Sequence, residues 1–577
     1  MRPLAVSACI LASLAFPVAP AHAQSENPKD LVKAARDKQR DFEMFRQSRI
    51  PVQPEGTQWG CDEVIGRMCI WFGGDDEGVF PAERPEVAMA RRELLQVLMR
   101  GTRARDPWVM GQLVHYLADD GQVAEAERVA RACDLDDQWW CGALLGYALH
   151  LQGKFVESEE AFRQAFAEMD KDDLKAWTTS EYILTPDGRK AMDQGSDAER
   201  TARWDLFWGL SDPLFFIEGN DRLTDHYARW VEARNWKDVE NPQGIFWEKD
   251  LEEMIIRYGR TKGYSRTHAP QRQGMRPGGG FNFQDTRRVV GHHDPFSRGY
   301  LFPEAFLASP SDVPPESWIT APRQARTWYA PPYAPDMRAL ETQVGRFRRG
   351  DAMLVVGAYQ PMEGEKVGDV EAGLALVPLD GGPTRYVMGE QAAGTMTLEA
   401  PPGLYVSSVE VLDAGARRAW RARQGVKQVP LVPGLVAVSD VLLLDEGAPF
   451  PESLDDAIPH VRRGVRIRQG ERFTVVWEVY GLRVEQTAKV TLGFTQGRPG
   501  FLARVGDFLG VLEPEQPVEV TFDDPGAAGV QSAFRAVTLE LPQLEPGEYT
   551  LHLRLDLPGR EPSIASRPIV VEAAGGA

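Results

Sequence analysis

Two histidines and an aspartate stand next to each other in the middle of this chain, at His292, His293 and Asp294. Imidazole nitrogens and a carboxylate can bind zinc or act as a general base, so this triplet is the first candidate for catalysis, with Asp250 as a further one. Adjacent side chains point in different directions on most backbones, and no HExxH pattern supplies a second ligand pair. The sequence therefore predicts no assigned catalytic residue, no metal and no cofactor.

Other signatures of chemistry are missing from the sequence. It has no GxSxG elbow for a serine nucleophile, no GxxxxGK loop for phosphate and no GxGxxG turn between a strand and a helix. The common hydrolase and nucleotide-binding classes are therefore not indicated.

Cysteine is the other reactive residue type. Besides Cys9, the chain has Cys61 and Cys69 in CDEVIGRMC, and Cys133 and Cys141 in CDLDDQWWC. These four cysteines other than Cys9 are an even number, which predicts two disulfides in an oxidising compartment. Zinc binding is the alternative, but neither pair has the short spacing of structural zinc ligands. Three connectivities are open, and pairing within each segment needs the least chain closure.

The first residues indicate the compartment. Arg2 precedes an apolar run from Leu4 to Ala19, and the small-residue triplet AHA follows at residues 21–23. This pattern predicts a signal peptide over residues 1–23 and an exported protein, located in the periplasm, at the outer membrane or outside the cell. A lipoprotein modified at Cys9 is the alternative. No later run of about 20 apolar residues predicts a transmembrane segment.

Composition and charge limit the partners. With 43% hydrophobic and 26% charged residues, the chain has the composition of a folded protein. Its formal charge of -19 argues against a nucleic-acid partner, because binding to phosphates needs clustered cations. At roughly 100–200 residues per domain, we expect three to five domains.

Apolar residues recur at helical spacing between about residues 85 and 170. Two stretches align there at an offset of 32 residues: Leu117, Gly121, Val123, Ala126, Ala130 and Cys133, and Leu149, Gly153, Phe155, Ser158, Phe162 and Ala165. The pattern resembles the tetratricopeptide repeat, in which two helices meet at a glycine turn. It predicts a helical TPR-like domain over residues 24–200, with a plain helical domain as the alternative.

The segment from 201 to 340 is irregular and rich in aromatic residues. Its distinctive residues are Phe207, Trp208, Asp212, Pro213, Trp247, Asp250 and the triplet Arg257, Tyr258 and Gly259. Through them the segment resembles the GWxTD-domain proteins, exported bacterial proteins of unassigned biochemical role. The name-giving motif is altered, because Gly244 is separated from Trp247 by two residues and Lys249 stands in place of the threonine. The resemblance implies an architecture rather than an activity.

A basic run in the same segment contrasts with the acidic chain. It consists of Arg257, Arg260, Lys262, Arg266, Arg272, Arg276, Arg287 and Arg288. Such a run can contact an acidic polysaccharide, an anionic headgroup or an acidic partner surface. The alternative is a mobile, solvated loop, which the glycines at 278–280 favour. The candidate binding residues are Trp247, Arg257, Tyr258, Arg260 and Arg266.

Beyond a proline-rich connector at residues 309–336, the periodicity becomes that of β-strands. Short alternating runs predict one β-sandwich over residues 341–450 and a second over 451–577. The predicted fold class is therefore multidomain α+β: an N-terminal TPR-like helical segment, an irregular α/β middle region and two C-terminal antiparallel β-sandwiches.

Two hypotheses of function follow. The first is an exported, non-enzymatic binding or scaffold protein that uses a helical repeat surface for a protein or peptide partner. The second is a metal-dependent or carbohydrate-active hydrolase with its site in residues 201–340.

Overall fold

A computed structural model describes residues 27–52, 63–71, 82–266, 289–293, 331–428, 430–431, 434–497, 518–526, 532–540 and 544–573. The predicted signal peptide lies outside them. Helices dominate the first half of the described chain and sheets the second half, which confirms the multidomain α+β class at this level. Within the described residues, none of the helices combines the length and the apolar character needed to cross a membrane.

Several helices begin where the sequence supplies a cap. The Asn27 side chain accepts a hydrogen bond from the Lys29 amide, and Ser196 and Glu199 form a reciprocal capping box. The helices are α1 (Pro28–Gln47), α2 (Pro85–Gly101), α3 (Pro107–Asp119), α4 (Val123–Arg131), α5 (Gln138–His150), α6 (Phe155–Glu168), α7 (Lys171–Trp177), α8 (Pro186–Met192), α9 (Asp197–Ser211), α10 (Asp221–Trp236), α11 (Lys249–Tyr258) and α12 (Leu454–Ala457).

The repeat-like pattern falls on two helix pairs, α3 with α4 and α5 with α6. Gly121 and Gly153 lie in the turns of the two pairs with φ of 76° and 74°, a left-handed conformation that favours glycine. Where α5 crosses α6, a β carbon at Gly146 would come within 2.9 Å of the Phe162 ring, so the small residue permits the close approach. Gly121 and Gly153 thus lie at equivalent turns of the two helix pairs.

One hydrophobic core spans the helical half. It contains Ala35 and Phe42 of α1, Leu113 of α3, Leu144 of α5 and Tyr258 of α11. Helix α9, which spans the predicted boundary at residue 200, and helices α10 and α11, which follow it, contribute to the same core as α3 and α5. The boundary itself stays a prediction.

A small sheet lies at the edge of the helical half. It consists of β1 (Glu63–Ile65), β2 (Met68–Trp71), β3 (Thr261–Arg266) and β4 (Val289–His293), in the order β1-β2-β4-β3. Strand β4 pairs in parallel with β2 and antiparallel with β3. His292 is therefore in a central strand of this sheet.

The second half consists mainly of sheets. Its strands are β5 (Asp336–Ala339), β6 (Glu341–Arg349), β7 (Ala352–Gln360), β8 (Glu371–Pro378), β9 (Arg385–Gly389), β10 (Gly394–Ala400), β11 (Leu404–Asp413), β12 (Arg418–Lys427), β13 (Ala437–Val438), β14 (Leu442–Leu443), β15 (Arg466–Arg468), β16 (Arg472–Tyr480), β17 (Thr487–Gln496), β18 (Val518–Pro525), β19 (Ser532–Glu540), β20 (Gly547–Asp556) and β21 (Ser563–Glu572).

Two five-stranded sheets have the same arrangement. Their orders are β5-β12-β11-β8-β9 and β15-β21-β20-β17-β18, and the first pair in each is parallel. Similarly, β10 pairs with β7 as β19 pairs with β16. Tyr405 and Tyr549, each shortly after a Pro-Gly turn, lie on β11 and β20, which hold the same place in the two sheets. The two β units are therefore topologically related.

Strand β7 connects two apolar cores. Val355 packs in a core between the sheets of the first β unit, whereas Val356 packs with Leu442 and Val476 on the side of the second. Alternate side chains of a strand point to opposite faces, so a strand covered on both faces reads as the continuous apolar run AMLVVGAY.

The run VAVSDVLLLD forms two short strands instead of one. Its polar centre makes other contacts: Asp440 accepts from the Arg346 guanidinium at 2.7 Å, and Ser439 Oγ accepts from the Glu478 amide at 2.9 Å. Both β13 and β14 pair with β16 of the second unit, although they precede the boundary predicted at 450/451.

Two arginines of β12 join the halves of the chain. Arg423 donates to the carbonyls of Leu210 at 2.9 Å and Asp212 at 2.6 Å, and Arg421 donates to the carbonyl of Pro213 at 3.2 Å. The last carbonyls of a helix lack hydrogen-bond donors within the helix. At the end of α9, the guanidinium groups of two arginines from a sheet are the donors. We call this contact the joint.

The joint also has an apolar part. Leu214 and Phe216 pack with Met337 and Leu412 in a separate small core. A β carbon at Gly373 would come within 2.8 Å of the Phe216 ring, so that glycine allows the close contact.

Candidate binding groove

The face shared by α3 and α5 is covered by α10 of the same chain. Gln112 Nε2 donates to the Asn235 carbonyl at 2.6 Å, His115 Nδ1 lies 3.1 Å from Glu232 Oε2, and the Tyr147 hydroxyl donates to the same oxygen at 3.0 Å. These groups are buried. Buried polar groups that satisfy one another hold α10 in place, so a partner needs a different face of the helices.

An open groove of about 810 Å³ lies along α6 on another side of the helices. Its floor includes the buried residues Leu149 and Phe162, and Val156 at its edge is 50% exposed. We call it the α6 groove, and its lining is Arg131, Leu145, Leu149, Val156, Glu157, Glu159, Glu160, Ala161, Phe162, Arg163, Gln164, Phe166, Leu223, Thr224 and Tyr227. Apolar side chains that remain accessible in a groove of this size are typical of binding sites.

The charges of the α6 groove are partly compensated within the chain. Arg131 pairs with Glu127 at 2.8 Å, and Arg163 pairs with Glu160. The Glu159 carboxylate accepts from the Asn220 amide.

A buried ionic cluster stabilises another part of the helical half. Asp119 Oδ2 lies 2.8 Å from Arg91 Nε and 3.5 Å from Arg46 Nη1, and Asp119 Oδ1 accepts from Arg260 Nη2 at 3.4 Å. Burial opposes ionisation of Asp119, but the three guanidinium groups hold its pKa well below the usual range. A cleft of about 230 Å³ borders the cluster, and Lys262 and Arg49 line it too.

His292, the central catalytic candidate, is fully buried on β4. Its Nε2 lies 2.6 Å from Ser265 Oγ of β3. Burial lowers the pKa of His292 to about 4, so the ring is neutral near pH 7. The side chain of His293 and the whole of Asp294 lie outside the described residues. The three residues of the triplet stay candidates for catalysis without an assigned role.

Asp250 is engaged by Arg67 from the turn between β1 and β2. Its Oδ2 accepts from the Arg67 amide at 2.9 Å and from Nε at 2.7 Å, and Oδ1 accepts from Nη2 at 2.7 Å. Hydrogen bonds from Arg67 lower the pKa of Asp250 to about 2. In the part of the chain that the structure describes, no group of three His, Cys, Asp or Glu residues is placed to hold a metal.

The candidate binding residues are buried or half-buried. Trp247 lines a cavity of about 10 Å³, room for about one water. Tyr258 is buried, and Arg257 donates to its hydroxyl at 3.0 Å and to Glu253 Oε1 at 3.1 Å. These contacts stabilise α11; a binding role for the residues stays a prediction.

The basic run does not begin as a loop. Arg257 is in α11, Arg260 pairs with Asp119, and Lys262 and Arg266 are on β3, where Arg266 donates to the Gln47 carbonyl. The mobile-loop interpretation is therefore wrong for these four residues, because Arg257, Lys262 and Arg266 belong to regular elements and Arg260 and Arg266 have partners distant in sequence. Arg272, Arg276, Arg287 and Arg288 lie outside the described residues.

The first four residues of the GWxTD-like pattern lie near the end of α9 and directly after it. Phe207 is buried, Trp208 packs on His226 with ring centroids 4.9 Å apart, and Asp212 and Pro213 provide carbonyls to the joint. These four residues thus lie where α9 contacts α10 and the first β unit.

The predicted pairing of Cys133 with Cys141 is confirmed. Their Cα atoms are 5.6 Å apart, and the disulfide connects the end of α4 to α5. Of the other predicted pair, Cys61 and the side chain of Cys69 lie outside the described part of the structure.

Sequence reasoning missed the α6 groove and the joint. The signal for the groove is the excess of large apolar residues on α6, where Val156 and Phe166 accompany the buried Phe162. The joint had a weaker signal: Arg421 and Arg423 alternate with apolar residues in RAWRARQ, a pattern that usually indicates a solvated strand face.

The chain was compared with known families, curated proteins and solved structures. No family model matches it, and no curated protein matches it. The comparisons assign the chain to no family. Among solved structures, it is similar to the FN1-FN3 domains of chicken CNTN1, with 12% identity and a TM-score of 0.16, covering 41% of this chain and 68% of that one. It is also similar to red sea bream transglutaminase, with 12% identity and a TM-score of 0.13, covering 40% of this chain and 31% of that one. These low scores carry no functional argument.

Proposed function

We propose that this protein is an exported, non-enzymatic binding or scaffold protein whose helical half takes a protein or peptide partner in the α6 groove. The observation that carries this proposal is the accessible apolar lining of that groove, about 810 Å³ in volume. Exposed apolar area of this kind is costly in water unless it is covered by a partner.

The rest of the architecture fits a scaffold. The joint connects the helical half to the first β unit through buried hydrogen bonds, and β7 connects that unit to the second through shared cores. We interpret the helical half as TPR-like with a GWxTD-like segment, and the two β units as β-sandwiches.

Export is supported by two independent features. Residues 1–23 have the pattern of a signal peptide, and the disulfide between Cys133 and Cys141 is of a kind that persists in oxidising compartments.

The test is site-specific photo-crosslinking in the cells that make the protein. A photoreactive amino acid replaces Val156 in the groove, and in a matched control it replaces Met89, which is 65% exposed on α2 outside the groove. We expect a discrete crosslinked partner from position 156 that is absent from position 89, and we expect Leu223→Asp in the groove to abolish it. Equal crosslinking from both positions, or none from 156, would contradict the proposal.

A further inference from the structure

The α6 groove recognises its occupant through side chains. All of its lining belongs to α4, α5, α6 and α10, whose interior backbone amides and carbonyls are hydrogen-bonded within their helices. The groove presents no strand edge to which an extended peptide could add its own backbone. A helix satisfies its backbone hydrogen bonds within itself and therefore needs no backbone partner in the groove.

The spacing of the apolar residues also fits a helix. Large apolar side chains line the groove in pairs four residues apart, one pair from each of three helices: Leu145 and Leu149 on α5, Phe162 and Phe166 on α6, and Leu223 and Tyr227 on α10. Side chains four residues apart form ridges along a helix, and the grooves between such ridges accept the ridges of another helix. The occupant that fits has apolar residues at positions i, i+3 or i+4, and i+7.

The charge around the groove selects among such helices. Helix α6 has four glutamates, Glu157, Glu159, Glu160 and Glu168, and one arginine. The two arginines of the lining already pair with glutamates of this chain, whereas the exposed Glu157 makes no hydrogen bond or ion pair with any described residue. A cation on the occupant would complement Glu157, and the acidic chain would attract it over a longer distance.

We infer that the α6 groove binds an amphipathic helix of another protein in which lysine or arginine residues flank the apolar stripe. This inference rests on the proposed function, and it adds the conformation and the charge of the partner segment.

The experiment uses the full mature protein and two designed helical peptides of about 18 residues, five turns. Both have the same apolar stripe; one has lysine flanks and the other glutamate flanks. By fluorescence anisotropy we expect the lysine peptide to bind at least about tenfold more tightly, with an affinity that decreases as salt increases.

Two variants locate the binding. Glu157→Lys should weaken binding of the lysine peptide by up to about fivefold and strengthen binding of the glutamate peptide, as expected for one exposed charge pair worth up to about 1 kcal/mol. The matched control is Glu168→Lys, on the same helix but outside the groove lining, and it should change neither affinity. Leu223→Asp should abolish binding of both peptides, and circular dichroism checks that each variant is folded.

The outcomes separate this inference from the proposed function. Equal binding of the two peptides, or an equal effect of Glu168→Lys, overturns the charge selection. If neither peptide binds while position 156 still crosslinks to a partner in cells, the inferred partner class is wrong and the proposed function stands. If neither peptide binds and crosslinking also fails, both are wrong.

Discussion

At the scale of single residues, Glu43 shows how burial sets protonation. Its carboxyl is fully buried on α1, accepts from the Tyr116 hydroxyl at 2.7 Å and lies 3.6 Å from the Arg46 guanidinium. Burial raises the pKa of Glu43 from 4.5 to about 7. The folded protein therefore binds a proton that the unfolded chain has released between these pH values. The contribution of Glu43 to stability is largest below the lower pKa and decreases as the pH rises through the higher one.

We predict that Glu43→Gln removes this dependence. Relative to the wild type, the variant should gain about 3 kcal/mol in the free energy of unfolding between about pH 4.5 and about pH 8, because the buried charge no longer forms. Urea unfolding at several pH values measures the difference. Glu168→Gln, which changes an exposed carboxylate, is the control and should show no such trend. A difference that stays constant with pH would contradict the prediction.

At the scale of elements, the disulfide fixes how α4 leads into α5. Cys133 and Cys141 are eight residues apart, and Trp139 and Trp140 lie between them in the hydrophobic core. The short loop limits the conformations of the unfolded chain and holds the start of α5 next to the end of α4.

The double variant Cys133→Ser with Cys141→Ser should lose about 2–3 kcal/mol in the free energy of unfolding, the value expected for a loop of this length. Chemical denaturation measures the loss. A reductant should destabilise the wild type by a similar amount. If the reductant leaves the wild type unchanged while the double variant is destabilised, the loss comes from packing at the cysteines and not from the crosslink.

At the scale of the whole molecule, the joint determines whether the halves act as one body. The side chain of Arg423 is fully buried, pairs with Glu410 at 3.2 Å and stacks 3.6 Å from the Phe215 ring centroid. A guanidinium group can serve these partners and two carbonyls of the α9 end at once because its donors point in fixed, separate directions.

Arg423→Lys should therefore destabilise the protein by about 2–4 kcal/mol, since an ammonium group leaves buried carbonyls without donors. Denaturant unfolding followed by tryptophan fluorescence checks this value. Arg385→Lys, on the exposed edge strand β9 of the same sheet, should change stability by less than about 0.5 kcal/mol. Equal effects of the two substitutions would show that the position in the joint is unimportant.

A second prediction concerns the apolar part of the joint. In Gly373→Val, the new side chain should displace Phe216 and loosen the contact between the halves, because the β carbon alone would lie 2.8 Å from its ring. We expect a larger radius of gyration by small-angle scattering and faster proteolysis. The control is Gly389→Val on β9, where the nearest atom to a β carbon is 3.7 Å away. Unchanged dimensions for Gly373→Val would contradict this role of the joint.

The sequence by itself determined the features that depend on local pattern. Apolar periodicity predicted helices in the first half and strands in the second, the two aligned glycines predicted the turns at Gly121 and Gly153, and short chain closure favoured the pairing of Cys133 with Cys141. Each of these signals lies within a few tens of residues, where spacing along the chain limits what the backbone can do.

Only the tertiary structure decided what each face and each charge contacts. Asp119 and Arg260 are 141 residues apart in sequence, and neither residue type nor spacing indicates that they meet in the core. The same holds for α10 on α3 and α5, for His292 in a central strand and for Arg423 at the end of α9. The physical reason is that burial and hydrogen-bond partners are properties of the packed chain. The sequence pattern around a charged or polar residue is the same whether that residue faces water or a distant partner.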